Sequence, residues 1–421
     1  MQRPDKPAHT TVMQRVAALS LGILTAVGGF VDMGGIVAAA QAGAQHRFSL
    51  LWTLIPGLIG FTIYADMAGR VAIASGRTLF DVMRDRLGFR LALIPLVATL
   101  IVNTLTVVIE IAGMALALQL ATQIPYLAWF PVAAALLALI IWNLRFDTLE
   151  NSSALLGLTM LVAVVATIRL APPWSEVAVQ AIHPALEPGG SIPLYLFMAI
   201  SLLGAYMTPY QFYFYSSGAI EEEWDGDDLL FNRITSIIGS AFGAIIIVAL
   251  MVGAAVVLYP EGSAVTSLVD AGRPIAESLG GVGWALFLIG TFSVSMGAGL
   301  ETALSGAYAT CQYFGWDWGK RGRPHQAPLF HLGYLVMLVV AIALAATGVD
   351  PIKLTIVTLA VAAASLPFTF LPLLIVANDR DYMGEQRNTR PVNVAATVVL
   401  ILLLVVTIAT VPLLIMTGGG S

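Results

Sequence analysis

The sequence predicts an all-α polytopic membrane protein of eleven transmembrane helices, arranged as two inverted five-helix repeats plus one extra helix. Three observations carry this. Hydrophobic residues make up 58% of the chain and charged residues 11%, with a mean hydropathy of +0.87, too little charge to cover a water-facing surface. Apolar runs of about 20 residues, the length a ~30 Å hydrocarbon layer requires, recur eleven times. Two of these runs, the first and the sixth, carry helix-breaking residues near mid-depth. The net charge of -5 decides little, and the single cysteine, Cys311, excludes an intramolecular disulfide and reads as a small core residue.

In chain order the runs cover about 16–44, 48–75, 91–121, 125–143, 151–171, 192–219, 231–259, 277–313, 327–347, 351–376 and 392–416. Residues 1–15 then form a cytoplasmic N-terminal tail without a small-residue cleavage site, which argues against a signal peptide. The first repeat is 16–171, an extracellular loop 172–191, the second repeat 192–376, and a cytoplasmic loop 377–391. The eleventh helix is 392–416, and 417–421 reads as a tail of the kind cloning appends.

The first run holds one charge, Asp32, flanked by Gly28, Gly29, Gly34 and Gly35. A lone carboxylate at bilayer depth costs roughly 2.5–3.5 kcal/mol, and glycine is a poor helix former. One reading is a helix broken in mid-membrane, with free carbonyls beside a carboxylate, which suits a cation. The other is an Asp paired with Ser or Thr in a glycine-packed helix interface.

In the sixth run Pro209 interrupts an apolar segment, which frees the carbonyl one turn earlier, near Ala205. Breaks in the first helix of each half, with an odd number of helices per half, point to an inverted-repeat secondary transporter with a midplane site. Orientation follows from Lys and Arg. With the N-terminus cytoplasmic, sixteen fall inside, and only Arg47, Arg169, Arg273 and Lys353 fall outside.

Around both breaks the chain resembles a divergent member of the natural-resistance-associated macrophage protein (NRAMP) family of divalent-metal transporters. That family carries Asp-Pro-Gly-Asn in its first helix and Met-Pro-His in its sixth. Here the first motif reads Asp32-Met33-Gly34-Gly35, followed by Ala42-Gly43-Ala44-Gln45 and Leu50-Leu51-Trp52. The second reads Thr208-Pro209-Tyr210. The stretch Ala74–Arg86 and the run ending at Trp318 also match in character, so the resemblance covers roughly 16–376. It implies a leucine-transporter-like fold in the cell membrane. It further implies divalent ions as the cargo and the lipid bilayer as the partner, with neither cofactor nor nucleic acid expected.

The departures bear on the ion. At the position of the family's thioether stands Thr208, an oxygen donor, and at that of its Asn stands Gly35, which removes an amide and opens space. The metal candidates are therefore Asp32, Gly35, Ala205 through its carbonyl, and Thr208, completed by water. An all-oxygen set suits a hard, reluctantly dehydrated cation, as in the NRAMP-related magnesium transporters, without excluding Mn²⁺. Met33, Glu110, Tyr210, Gln211, Tyr215 and Glu301 are expected beside the ion or along its path. Tyr210 and Tyr215 occupy positions where the family has His, and Val107 the position of a third-helix Asp. Tyrosine, with an unperturbed pKa of about 10, does not shuttle protons at neutral pH. The expectation is uncoupled uptake driven by the membrane potential, which supplies about 4.6 kcal/mol to a divalent ion at ~100 mV.

The remaining polar residues have bland readings beside functional ones. Glu110 and Glu301 serve the pathway or pair structurally with Ser, Thr or Tyr. Asp66 and Arg70 have the spacing of a helical ion pair. The acidic stretch 221–228 reads as a solvated loop. His46, His183, His325 and His331 lack metal-ligand spacing, and Thr355 and Thr358 stand in helix ten without the family's Gln. The same-fold alternative is a proton-coupled Mn²⁺ or Fe²⁺ importer. A channel would need a repeated filter and an enzyme a catalytic pair. An organic-substrate carrier remains open, although Asp32 would repel a substrate carboxylate.

Overall fold

The computed structural model describes residues 31–146, 148, 152, 155, 157–184, 190–320 and 324–419. The upstream part of the first run, with Gly28 and Gly29, and the opening of the fifth lie outside these residues. Every secondary-structure element among the described residues is helical. Nine stretches there are long and apolar enough to cross a membrane, or ten if one pair bent by 111° counts as a single span.

The first half comprises α1 (Met33–His46), α2 (Leu54–Ser75), the short α3 (Leu79–Leu87), α4 (Phe89–Thr122), α5 (Tyr126–Asn143) and α6 (Leu161–Arg169). The stretch 172–191 contains a helix, α7 (Trp174–Ile182), bent away from α6. Pro172 and Pro173 stop the first helix, and Pro173 stands at the N-cap of the second.

The second half begins with α8 (Ile192–Tyr206) and α9 (Pro209–Glu221), separated by two extended residues, and continues with α10 (Leu229–Val257). In α11 (Leu268–Phe314) the helix starts before the expected apolar run, because Asp270, Arg273 and Glu277 hide its first turns from a hydropathy count. It kinks at Gly280 (φ 65°, ψ -152°), a conformation open to glycine and costly for other residues. The chain closes with α12 (Pro328–Ala345), α13 (Pro351–Asn378), the single turn α14 (Arg380–Met383) and α15 (Arg390–Thr417).

The core is built by α11 lying along α4, α10 along α1, and α13 between α8 and α15. Small residues set these approaches. A Cβ on Gly204 of α8 would collide with the Leu359 carbonyl oxygen of α13, so the two backbones touch. At the rim α15 turns Val394, Ile408 and Ile415 outward, as a lipid-facing helix must.

On the Arg-rich face α3 ties three elements together. Thr78 caps it, Leu79 N donates to Ser216 Oγ of α9 (2.7 Å), and Arg84 Nη1 donates to the Gln312 carbonyl at the end of α11 (2.7 Å). Arg86 pairs with Asp379 at 2.6 Å. On the opposite face Arg47, just past α1, grips Glu176 of α7 through two bonds of 2.5 and 3.0 Å.

Candidate cation site

Asp32 is the N-cap of α1, with extended backbone (φ -111°, ψ 179°), and its Oδ1 accepts from Gly35 N at 2.6 Å. An Asp at this position satisfies amides that the first turn leaves without partners. The helix therefore starts at Asp32, and the carboxylate is held at its positive end.

The second break falls at Met207 and Thr208, both extended. Thr208 N donates to Gln211 Oε1 at 3.0 Å instead of continuing α8, and Pro209 has no N–H. The carbonyls of Gly204 and Ala205 thus lose their in-helix donors, where proline alone predicts Ala205. The Thr208 hydroxyl is buried and without a partner. Met207 is buried too, but its thioether packs on α2: a Cβ at Gly60 would stand 2.9 Å from its sulfur.

The start of α1 and the break between α8 and α9 meet across Leu359 of α13. Its side chain lies 2.9 Å from where a Gly34 Cβ would be, and its carbonyl abuts Gly204. A second carboxylate is brought in by α4. Glu110 Oε2 accepts from Met33 N at 3.2 Å, while Oε1 is buried and unpartnered. Gly113 of α4 and Gly299 of α11 permit this convergence: their Cβ positions lie 3.1 Å from Met33 Cβ and 3.4 Å from Glu110 Cβ.

Tyr210, in the first turn of α9, is buried with an unpartnered hydroxyl. Its carbonyl accepts from Ser305 Oγ of α11 at 3.0 Å. Asp32, Glu110 and Glu301 all lie within its electrostatic range. Asp32, Met33, Glu110, Thr208, Tyr210, Gln211 and Glu301 are thus gathered at the junction of α1, α4, α9 and α11. Among the described residues no three of His, Cys, Asp and Glu come together closely enough to hold a metal alone, so carbonyls, hydroxyls and water would complete a shell.

Two expectations about this neighbourhood change. The space expected at Gly35 is filled, because a Cβ there would stand 2.8 Å from Ile247 Cδ1 of α10. Tyr215 is not at the junction: its hydroxyl donates to the Asn232 carbonyl (3.3 Å) and its ring meets Trp224 edge-on.

Away from the site, Asp66 and Arg70 form the predicted pair at 2.8 Å, and Arg70 also binds Gln386 O and Asn388 Oδ1. The acidic stretch is not uniformly solvated. Glu221 is buried and accepts from Tyr308 Oη (2.9 Å) and Lys320 N (2.5 Å). In α13, Thr355 bonds back to Pro351 O, whereas the buried Thr358 hydroxyl has no partner. Sequence reasoning missed Ser305, Ile247 and Leu359. Only Ser305 left a signal, a hydroxyl one helical turn after Glu301.

Residues 22–412 match the family described as natural resistance-associated macrophage protein-like. The chain is 23% identical over 385 residues to the divalent metal cation transporter MntH of Deinococcus radiodurans, covering 89% of this chain and 85% of that one. With a divalent metal cation transporter MntH 1 of Pseudomonas aeruginosa it shares 26% over 414 residues, covering 93% and 90%. Among solved structures, the manganese transporter of Eremococcus coleocola superposes with a TM-score of 0.74 at 20% identity, over 97% of this chain and 88% of that one. Mhp1, a nucleobase-cation-symport-1 family transporter, superposes with a TM-score of 0.62 at 13% identity, over 94% and 92%. The fold is the leucine-transporter-like one that the family resemblance implies.

Proposed function

The chain belongs to the natural resistance-associated macrophage protein family, and from that premise we propose that it carries divalent metal cations across the cell membrane, Mg²⁺ foremost and Mn²⁺ as well. The observation that carries the choice of ion is the donor set at the second break. Thr208 offers a buried, unpartnered oxygen, while the neighbouring Met207 sulfur is turned onto α2. With Asp32 and the released carbonyls of Gly204 and Ala205, the donors at the second break and the Asp32 carboxylate are all oxygen, which favours hard cations that keep part of their water.

Transport without proton coupling is the reading we favour, driven by membrane potential. It is supported by Val107, which packs in an apolar cluster, and by Tyr215, engaged with Asn232. The Arg-rich face is then the cytoplasmic one. A second reading, proton-coupled Mn²⁺ import, is favoured by Glu110, whose buried and unpartnered Oε1 beside Asp32 is a place where a proton can reside.

Ion flux into proteoliposomes at a set potential, comparing Mg²⁺, Mn²⁺ and Ca²⁺ while following internal pH, decides between them. The expected result is Mg²⁺ and Mn²⁺ entry at constant internal pH. Absence of Mg²⁺ flux at millimolar concentration removes the magnesium assignment, and acidification in step with metal entry establishes the coupled mechanism.

A further inference from the structure

Along α11 every residue from 293 to 309 is buried except Glu301. In the middle of a packed helix, this residue alone keeps part of its surface uncovered by the protein. It forms no hydrogen bond or ion pair with any described residue, unlike Glu110, which is held by the Met33 amide. Its direction follows from the helix itself. Ser305, one turn later on the same face, donates to the Tyr210 carbonyl. Glu301 therefore faces the first turn of α9, and both Tyr210 and Asp32 are within its electrostatic range.

A carboxylate at this depth with no donor from the protein is costly unless a cation or water answers it. We propose that Glu301 supplies a second carboxylate to the transported divalent cation, opposite Asp32 and beside Tyr210, directly or through one shell of water. Two carboxylates balance the ion's double charge, so repulsion between buried acids becomes attraction to the cargo. The pair also replaces the soft donor absent at Thr208 with a hard one, which deepens the choice of ion and rests on the divalent-cation reading above.

The test measures Mg²⁺ and Mn²⁺ flux in proteoliposomes for the unaltered protein, Glu301→Gln and Glu301→Asp, with rates normalised to reconstituted protein. Glu301→Gln is expected to raise the half-saturating concentration by roughly tenfold or more, as loss of a charged contact to the ion does. Glu301→Asp keeps the charge but withdraws it, and is expected to give an intermediate rise of about threefold. A purely structural role would instead lower the maximal rate and leave the half-saturating concentration in place. A value within about twofold of the unaltered protein in either variant, or equal rises in both, overturns the proposal. If the unaltered protein moves neither ion, the transport reading falls and takes this one with it. Normal flux there with an unshifted Gln variant removes the second carboxylate alone.

Discussion

Glu110 on α4 accepts the amide proton of Met33, the residue after Asp32, at 3.2 Å. This bond docks the start of α1 onto α4 and sets two carboxylates side by side in a region with few donors. Asp32 caps the helix that Glu110 anchors, so each acid has a structural task as well as a chemical one. Substitutions at the site must be chosen to separate the two.

Asp32→Asn makes that separation. Asn caps a helix about as well as Asp, so the fold of α1 is expected to survive, whereas Asp32→Ala also forfeits a cap worth about 1 kcal/mol. Both are expected to abolish flux, by about a hundredfold or more given the loss of the anchoring charge. Near-normal transport by the Asn variant, with unchanged thermal stability, would place the cation elsewhere.

At Gly35 the obstacle is Ile247. Gly35→Asn alone is expected to push the Cδ1 end of Ile247 aside and lower stability by about 1 kcal/mol, the low end of overpacking costs. Gly35→Asn combined with Ile247→Ala makes room for the carboxamide and is expected to recover stability and shift preference toward Mn²⁺. Thermal unfolding and Mg²⁺–Mn²⁺ competition read the two effects, and a double variant no more stable than the single contradicts the packing account.

Thr208→Met brings a soft donor to the second break. Mn²⁺ or Cd²⁺ uptake relative to Mg²⁺ is expected to rise by about tenfold, following donor softness. An unchanged ratio in competition flux would remove the argument from Thr208.

Lys320 sits in the link after α11, buried, with its amide on Glu221 and its ammonium on the Ile141 carbonyl. Burial pushes its pKa down to about 8, against the opposing pull of Glu221. Between about pH 8 and 10.5 the unfolded chain therefore binds more protons than the folded one, and stability from this group rises with pH. Thermal unfolding of the purified protein across that window is expected to show this rise, and Lys320→Met to flatten it. Equal slopes in both proteins would contradict the assignment.

Much of the molecule was legible because its strongest signals are local. Apolar runs mark the spans that the described helices reproduce, and Pro209 marks the break between α8 and α9. The helices at α7 and at the start of α11 were missed for a matching reason: they are short or charged, and a hydropathy count discards both. Asp32 stood out as one charge in a long apolar run, and its N-cap geometry accounts for it.

What the tertiary structure decided lies in contacts between residues far apart in the chain. Gly35 looks like open space until Ile247 of α10 is found against it. Glu221 looks solvated until Tyr308 and Lys320 enclose it. The sequence alone determined that one carboxylate would stand among glycines in a long apolar run and that Pro209 would interrupt the sixth, because a lone charge and a proline are visible without partners. Which oxygens surround it, and that Glu301 faces the same junction, depended on how α4, α9 and α11 pack, since a side chain's direction is set by the neighbours its helix meets.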